Sequence, residues 1–215
     1  MDLMDERYSL FLKWYHTQYL ESMDRCLESI SYNQIICKKW LVENLDNVQI
    51  PRDENGQFNI EIVGGWFGFP LIHLLMDKYP EIKRIHLYEL DKQALRACWK
   101  YTEIFGYDHV KTFHMDYFDD VNQRRAHLII NTSCEHMPDM IKARDNYVTP
   151  ERTLLALQSN DMIGEPDHVN CVNSTNELAE KAGIKELWGG YKKMNEDAIW
   201  AGHRYNRYMV MGKWI

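Results

Sequence analysis

The chain has few of the features that mark secreted or membrane proteins. Its five cysteines are odd in number and include no Cys-x-x-Cys pair, so the sequence indicates free thiols rather than a disulfide framework. No apolar run reaches the roughly 18 residues needed to span a bilayer, and the acidic start carries no signal-peptide pattern. We therefore expect a cytoplasmic protein without a membrane partner.

An excess of basic residues is also missing. The formal net charge is −7, which argues against a broad phosphate-binding surface and so against a nucleic-acid partner, although a local basic patch would fit this charge. Internal repeats and low-complexity runs are absent as well. With 215 residues and 45% hydrophobic content, the chain is long enough to bury a substantial core, and a small-molecule substrate is the expected partner.

Helix and strand patterns alternate along most of the chain. Residues 6–46 have helical periodicity with a break near residues 29–32, and a turn-rich link follows. Strands are then predicted near residues 59–63, 84–89, 110–115, 127–131, 153–158, 185–191 and 206–213. Helices are predicted near residues 68–78, 91–104, 137–144 and 174–182. We divide the chain into an N-terminal helical extension, residues 1–50, and an α/β domain, residues 51–215.

The order of these elements predicts an α/β fold with a mostly parallel sheet. Strands that alternate with helices form parallel sheets covered on both faces. The last two strands have no helical pattern between them, so they predict an antiparallel hairpin at or near the edge.

A glycine-rich turn follows the first predicted strand, and an acid ends the second. The glycines are Gly64, Gly65 and Gly68, and the acid is Glu89. A glycine turn lets ligand atoms approach the backbone, and an acid in this position accepts hydrogen bonds from both hydroxyls of a ribose. The pair predicts a nucleoside site between the two strands.

Seven strands in this order, with these two motifs and a terminal hairpin, resemble the Rossmann-like fold of the class I S-adenosylmethionine-dependent methyltransferases. The resemblance covers roughly residues 58–215. It implies S-adenosylmethionine as the cofactor, held by the three glycines and Glu89. Asp116, after the third strand, matches the acid that accepts a hydrogen bond from the adenine amino group, and Met115 or Tyr117 would pack on the ring. In such folds an N-terminal extension often covers the cofactor pocket.

One residue departs from the family pattern. The family usually has three glycines in alternating positions, and Trp66 stands where the middle one belongs. The adjacent Gly65 could take over its role by a shifted turn. The segments Gly-Gly-Trp-Phe-Gly from residue 64, Asn-Thr-Ser-Cys-Glu-His-Met from residue 131 and Gln-Ser-Asn-Asp from residue 158 are also similar to a little-characterised group of methyltransferase-like phage proteins, which implies no substrate.

Polar residues follow the fourth and fifth predicted strands. The carboxyl ends of neighbouring strands border the ligand crevice of an open sheet, so these residues are candidates for the acceptor site. The candidate catalytic residues are Asn131, Glu135, His136, Asp161 and His168. Asn131 is also a candidate cofactor contact that could orient an amine. A histidine has the most suitable ordinary pKa for a general base.

Cysteines and histidines near the same strand ends raise the alternative of a metal site. Cys134, His136, His168 and Cys171 are zinc-ligand types, but the spacings Cys-x-His and His-x-x-Cys are weak motifs. We therefore expect no metal.

The function expected from these features is methyl transfer from S-adenosylmethionine to a small molecule or modest polar substrate. Three alternatives stay open. A non-catalytic nucleoside-binding protein would explain Trp66, and another transfer from the same cofactor, such as aminocarboxypropyl transfer, would use the same pocket. A nicotinamide-dependent oxidoreductase also uses a glycine turn with an acid, but the terminal hairpin and Asp116 argue against it.

Overall fold

The computed structural model describes residues 5–119, 123–195 and 204–215. Its centre is a seven-stranded sheet. The strands are β1 (Phe58–Val63), β2 (Ile82–Glu89), β3 (Val110–His114), β4 (Leu128–Asn131), β5 (Leu154–Asn160), β6 (Ile184–Met194) and β7 (Tyr205–Trp214). Their spatial order is β3-β2-β1-β4-β5-β7-β6. Strands β1 to β5 pair in parallel, and β7 is antiparallel to both of its neighbours, so the predicted mostly parallel sheet with a C-terminal hairpin is confirmed.

The helices occupy most of the predicted positions. They are α1 (Glu6–Gln18), α2 (Met23–Ser29), α3 (Tyr32–Asn44), α4 (Leu71–Lys78), α5 (Lys92–Phe105) and α6 (Thr175–Ala182). Among the described residues no helix is both long and apolar enough to cross a bilayer.

The predicted helix at residues 137–144 is wrong. Two short 3₁₀ segments, Cys134–His136 and Met140–Asn146, take its place. Pro138 lies between them, and Met137 before it is extended, with φ −132° and ψ 163°. A residue that precedes proline is pushed away from the α region, which explains why a continuous helix does not form.

The sheet is apolar on both faces because helices cover parallel strands on each face. Every residue of β5 is buried, which is typical of a central strand in such a sheet. On one face, Phe11 of α1 meets Phe69 edge to face, with ring centroids 5.0 Å apart. On the other face, Leu178 of α6 belongs to a second core cluster that includes Trp214. The N-terminal helices therefore share one apolar core with the sheet.

The strand order places a crevice at the carboxyl edge of the sheet. β1 lies between β2 and β4, so the chain order reverses at β1. Ligands of open α/β sheets bind at such a switch point, outside the carboxyl ends of the strands. Asp91 caps α5 at this edge through hydrogen bonds from the backbone N–H groups of Gln93 and Ala94.

Candidate active site

A cavity of about 830 Å³ opens at the carboxyl edge of the sheet. Its walls come from the ends of β1 to β5, from β7 and from the N-terminal helices. The predicted site residues that line it are Gly64, Glu89, Asp116, Glu135, His136 and His168. The topology therefore brings together residues that are far apart in the sequence.

The turn after β1 has two glycines at positive φ. Gly64 has φ +59°, and a Cβ there would lie 1.8 Å from the terminal methyl of Met137. Gly68 has φ +76°, and a Cβ there would lie 2.6 Å from the sulfur of Cys98. Gly64 lines the cavity, whereas Gly68 lets α4 and α5 pack closely beneath it.

Glu89 is oriented toward this turn. Its Oε2 accepts a hydrogen bond from the backbone N–H of Trp66 at 2.7 Å. Its Oε1 accepts from the N–H groups of Leu90 and Asp91, each at 2.9 Å. A carboxylate oxygen can accept about two hydrogen bonds, so Oε2 keeps an acceptor position on the cavity side.

Trp66 itself adopts a backbone conformation that favours glycine. Its φ is +48°, in the left-handed region that L-residues rarely occupy. Gly65 has no positive φ, so the left-handed position of the turn falls on Trp66 and not on Gly65. The Glu89 hydrogen bond fixes the N–H of residue 66, which explains why the backbone keeps this shape. The indole lies partly buried in the cavity wall, with its ring centroid 5.0 Å from that of Phe67.

The end of the cavity near β3 has flat apolar walls and one acid. Tyr88 stacks on Phe113, with centroids 5.1 Å apart and planes inclined by 17°. Asp116 accepts a hydrogen bond from the N–H of Phe118 at 2.9 Å. Tyr88, Asp116, Phe118 and the two predicted ring contacts, Met115 and Tyr117, all line the cavity. An aromatic wall beside a hydrogen-bond acceptor suits a purine with an exocyclic amine.

A buried polar network supports this wall from behind. The Tyr117 hydroxyl donates to Oε2 of Glu61 at 3.1 Å, and the Tyr147 hydroxyl donates to the same oxygen. The guanidinium of Arg124 lies 4.0 Å from the Tyr117 ring centroid and 3.6 Å from Glu61. Burial, with the charge of Glu61, raises the pKa of Tyr117, so this hydroxyl stays protonated. The network fixes the Tyr117 ring against the cavity.

A buried ion pair lies at the opposite end. Glu135 is 3% exposed, and its Oε1 accepts from Arg207 at 2.6 Å and from the amide of Asn160 at 2.9 Å. Arg207 also donates to the backbone oxygen of Thr132. Burial opposes the charge of Arg207, but Glu135 and neighbouring groups outweigh it, and the pKa of the guanidinium is raised. Glu135 Oε2 has no hydrogen-bond partner among the described residues.

Two histidines stand beside this pair. The rings of His136 and His168 meet edge to face, with centroids 4.6 Å apart. Their Nδ1 atoms each lie 3.2 Å from a backbone oxygen, that of Asp167 for His136 and that of Met162 for His168. Imidazoles in this position can exchange protons with a bound molecule.

The N-terminal helices close one side of the cavity. Glu28 of α2 and Gln34 of α3 line it. Lys38 of α3 is buried and donates to the side-chain oxygen of Gln34. Burial, together with the charge of Arg207, lowers the pKa of Lys38 to about 8.

No protein-family model matches the sequence, and no curated protein matches it. Solved structures do match the fold. Mitomycin 7-O-methyltransferase aligns with a TM-score of 0.59 and 15% identity over 93% of this chain and 60% of that chain. Geranyl diphosphate C-methyltransferase from Streptomyces coelicolor A3(2), in complex with Mg²⁺, geranyl diphosphate and S-adenosyl-L-homocysteine, aligns with a TM-score of 0.58 and 9% identity over 85% and 79%. A SAM-dependent methyltransferase from Aquifex aeolicus aligns at 0.53 and 15% over 80% and 88%.

The fold is that of the class I S-adenosylmethionine-dependent methyltransferases. The resemblance inferred from the sequence is thereby confirmed for the architecture.

Two predicted site residues lie away from the cavity of this class I fold. Asn131 is fully buried, its Nδ2 is 3.3 Å from the Met137 sulfur, and its Oδ1 accepts from the N–H of Ser133. Asp161 accepts from both the backbone and the side chain of Asn206, at 2.8 and 2.6 Å, and so ties the end of β5 to β7. Neither lines the cavity. Their roles in catalysis and cofactor binding stay predictions.

Cys134 and Cys171, the two cysteines of the alternative zinc site, have different environments. Cys134 is buried, its sulfur lies 3.8 Å from the backbone oxygen of Asn131, and burial raises the pKa of its thiol above the ordinary range. Cys171 is half-buried and lies 3.6 Å from Nδ1 of His168. Cys134 is therefore neither a nucleophile nor a ligand in this geometry.

Proposed function

We propose that this protein is an S-adenosylmethionine-dependent methyltransferase that acts on a small molecule or modestly sized polar substrate. The observation that carries the proposal is the placement of the Glu89 carboxylate, held against the turn at residues 64–68 in the cavity wall. The cavity of about 830 Å³ is large enough for a nucleoside cofactor and a small acceptor together.

In this proposal one end of the cavity binds the cofactor and the other end binds the acceptor. Adenosine would lie over the ends of β1 to β3, with its ribose on Glu89 and its adenine between Tyr88 and Asp116. The sulfonium would then point toward Glu135 and the two histidines. The cofactor supplies an activated methyl group, and the residues of this chain hold both molecules in line.

The residues at the acceptor end suit methyl transfer to a protonated nucleophile. Methyl transfer is an in-line displacement, so a large part of the rate comes from holding the acceptor in the right orientation. Either His136 or His168 would take the one proton that the acceptor loses, since a neutral imidazole is an effective base near neutral pH. The Arg207 guanidinium would fix the Glu135 carboxylate in position beside them, through the contact at 2.6 Å.

The cysteines and the net charge of the chain support a small substrate in a reducing compartment. All five cysteines are free, which favours the cytoplasm. The net charge of −7 again disfavours a nucleic-acid substrate.

Two measurements test the proposal. Isothermal titration with S-adenosylmethionine and S-adenosylhomocysteine should give saturable binding that Glu89→Gln weakens. Incubation of the protein with methyl-labelled cofactor and a cell extract should then label an acceptor of low molecular mass. Failure to bind either form of the cofactor would refute the proposal.

A second candidate is a nucleoside-binding accessory protein without catalysis. Trp66 in the cavity wall favours it, because the indole occupies space that a glycine would leave to the cofactor. Binding without any labelled product would support this function. If the product takes up label from S-adenosylmethionine labelled in its aminocarboxypropyl group, but not from cofactor labelled in its methyl group, the protein is another transferase that uses the same cofactor.

A further inference from the structure

Three side chains with metal-ligating atoms converge at the acceptor end of the cavity. A carboxylate oxygen of Glu135 and a ring nitrogen each of His136 and His168 all lie within 4.8 Å of one another. We propose that Glu135, His136 and His168 form a binding site for a divalent transition-metal ion. Binding of the ion does not depend on the proposed methyl transfer.

The hydrogen bonds of the two histidines prepare them as ligands. In both rings Nδ1 faces a backbone carbonyl oxygen at 3.2 Å, so Nδ1 carries the proton and donates. That tautomer leaves the lone pair on Nε2. A metal-bound histidine almost always donates its other N–H to a carbonyl or carboxylate. The carboxylate of Asp167, also 3.2 Å from Nδ1 of His136, adds a second partner of this kind and negative charge.

The carboxylate of Glu135 has one oxygen engaged and one left over. Arg207 and Asn160 both donate to Oε1 and fix the orientation of the group. Oε2 is buried and has no hydrogen-bond partner among the described residues. Nε2 of His136 lies 4.0 Å from Oε1, the engaged oxygen, so coordination through Oε2 requires the imidazole to rotate. A buried polar atom without a partner is costly, and coordination to a cation would relieve that cost. Arg207 offsets part of the negative charge of Glu135. The carboxylate of Asp167 lies beside His136 and adds negative charge that would favour a cation.

The segments that carry the three ligands are held together by backbone hydrogen bonds. The backbone oxygen of Glu135 accepts from Val169 at 2.8 Å and from Asn170 at 2.9 Å. The side-chain amide of Asn170 donates to Asp139 at 2.8 Å. These bonds dock the loop that contains His168 against the turn that contains Glu135 and His136.

The spacing requires only small movements to close around an ion. Bonds of about 2.1 Å at the tetrahedral angle place two ligand atoms about 3.4 Å apart. The three ligand atoms lie within 4.8 Å of one another, so closure brings any two together by at most about 1.4 Å, which rotation of the imidazoles can supply.

The ligand types select the ion. Two imidazoles with one carboxylate suit Zn²⁺, Fe²⁺ and related first-row ions, whereas Mg²⁺ and Ca²⁺ prefer oxygen ligands alone. Three protein ligands leave coordination positions open, and here these face the cavity. If the proposed methyl transfer holds, such an ion would bind an acceptor oxygen or nitrogen and so select substrates that offer one. With the ion bound, the two imidazoles would act as ligands in place of the proton-accepting role given above.

The test is a metal titration of the untagged, chelator-treated full chain without cofactor. Co²⁺ is followed by its visible absorption, and Zn²⁺ by competition and by calorimetry. We expect saturable binding of one ion. His136→Gln and His168→Gln should each weaken binding by at least about 10-fold, since loss of an outer partner alone costs 10- to 100-fold. Melting curves establish that each variant folds.

Two controls sharpen the result. His109→Gln replaces an exposed histidine at the opposite end of β3 and should leave binding unchanged. Cys171→Ser should also bind as the wild type does, since the thiol is not a proposed ligand. Saturable Co²⁺ binding that is lost in either histidine variant supports the site. Absence of saturable binding, equal binding in both histidine variants and the wild type, or binding of Mg²⁺ alone would overturn it.

The same variants separate this proposal from the proposed function. His168→Gln should lose Co²⁺ binding and keep binding of S-adenosylhomocysteine. Glu89→Gln should keep Co²⁺ binding and bind S-adenosylhomocysteine more weakly. A protein that binds Co²⁺ through the histidines but no cofactor would refute the methyltransferase proposal and leave the metal site standing.

Discussion

The backbone N–H of Trp66 donates a hydrogen bond to Oε2 of Glu89 across 2.7 Å. This contact joins the turn after β1 to the end of β2. It orients the half-buried carboxylate toward the turn and holds residue 66 at φ +48°. The acid and the turn therefore form one preformed unit, and the proposed ribose site depends on both.

Replacement of Glu89 tests that unit directly. Glu89→Gln removes the charge and one acceptor, and hydrogen bonds to charged groups are worth about 1.5–3 kcal/mol. We expect the affinity for S-adenosylhomocysteine to fall by at least about 10-fold in calorimetry. Glu81→Gln is the matched control, because Glu81 precedes the other end of β2 and pairs with Arg52 at 2.7 Å. Equal affinity in both variants would contradict the ribose assignment.

Trp66 should respond to substitution through its backbone. Trp66→Gly and Trp66→Ala lose the same indole, but only glycine occupies a positive φ without strain. We expect the glycine variant to be more stable than the alanine variant by about 1 kcal/mol in urea denaturation. If alanine is instead the more stable of the two, residue 66 is not left-handed in solution.

Much of the fold could be predicted because it follows from local patterns. The break between α2 and α3, the seven strands and the cap of α6 by Ser174 all follow from periodicity and cap residues. The predicted helix at residues 137–144 failed because Pro138 outweighs the propensity of its neighbours.

The site was less predictable because its geometry depends on long-range contacts. Gly64, Glu89 and Asp116 line the cavity, as expected of residues at the carboxyl ends of strands, and their contacts with a cofactor stay predictions. Asn131 follows a strand too, but its side chain turns inward toward the Met137 sulfur. Arg207 could not be predicted as a site residue from the sequence. An arginine in a strand pattern gives no sign that it will be buried and paired with a carboxylate 72 positions away.

The Glu135–Arg207 pair should show strong coupling. Glu135→Gln and Arg207→Met each leave a buried group without its partner, which costs about 3–5 kcal/mol. In the double variant neither charge remains, so we expect it to be more stable than the sum of the single changes predicts by about 1–3 kcal/mol. Urea denaturation in the presence of a chelator measures all four proteins.

An exposed pair provides the reference for that cycle. Lys100 and Glu103 form an ion pair at 2.7 Å on the surface of α5, and their coupling should stay below about 0.5 kcal/mol. If the buried pair shows no greater coupling than this one, Arg207 does not contact Glu135 in solution.

Gly64 should tolerate no side chain unless Met137 makes room. Gly64→Ala brings a Cβ to 1.8 Å from the Met137 methyl in addition to the backbone strain at φ +59°. Gly106→Ala has similar strain at φ +70° but nothing within 4 Å, so it should cost only about 1 kcal/mol. We expect Gly64→Ala to cost more in urea denaturation, and Met137→Ala to recover the difference. Equal costs for the two glycine changes would show that Met137 does not press on the turn.

His86 should make the protein less stable in acid. Burial, with the charge of Arg84, lowers the pKa of His86 from 6.5 to about 4. The unfolded chain binds a proton at this residue below about pH 6.5, and the folded chain does so only below about pH 4. The free energy of unfolding should therefore fall as the pH drops from about 6.5 to 4, and this contribution should level off below that range.

The size of the effect and its source can be measured with one substitution. The shift sets an upper limit of about 3 kcal/mol, and partial solvent exposure reduces the expected value to about 1–2 kcal/mol. His86→Gln cannot titrate, so its stability should fall less than that of the wild type between about pH 7 and pH 4.5. His109→Gln, an exposed histidine variant, should follow the wild type. Parallel curves for His86→Gln and the wild type would mean that His86 takes up its proton as readily in the folded chain as in the unfolded one.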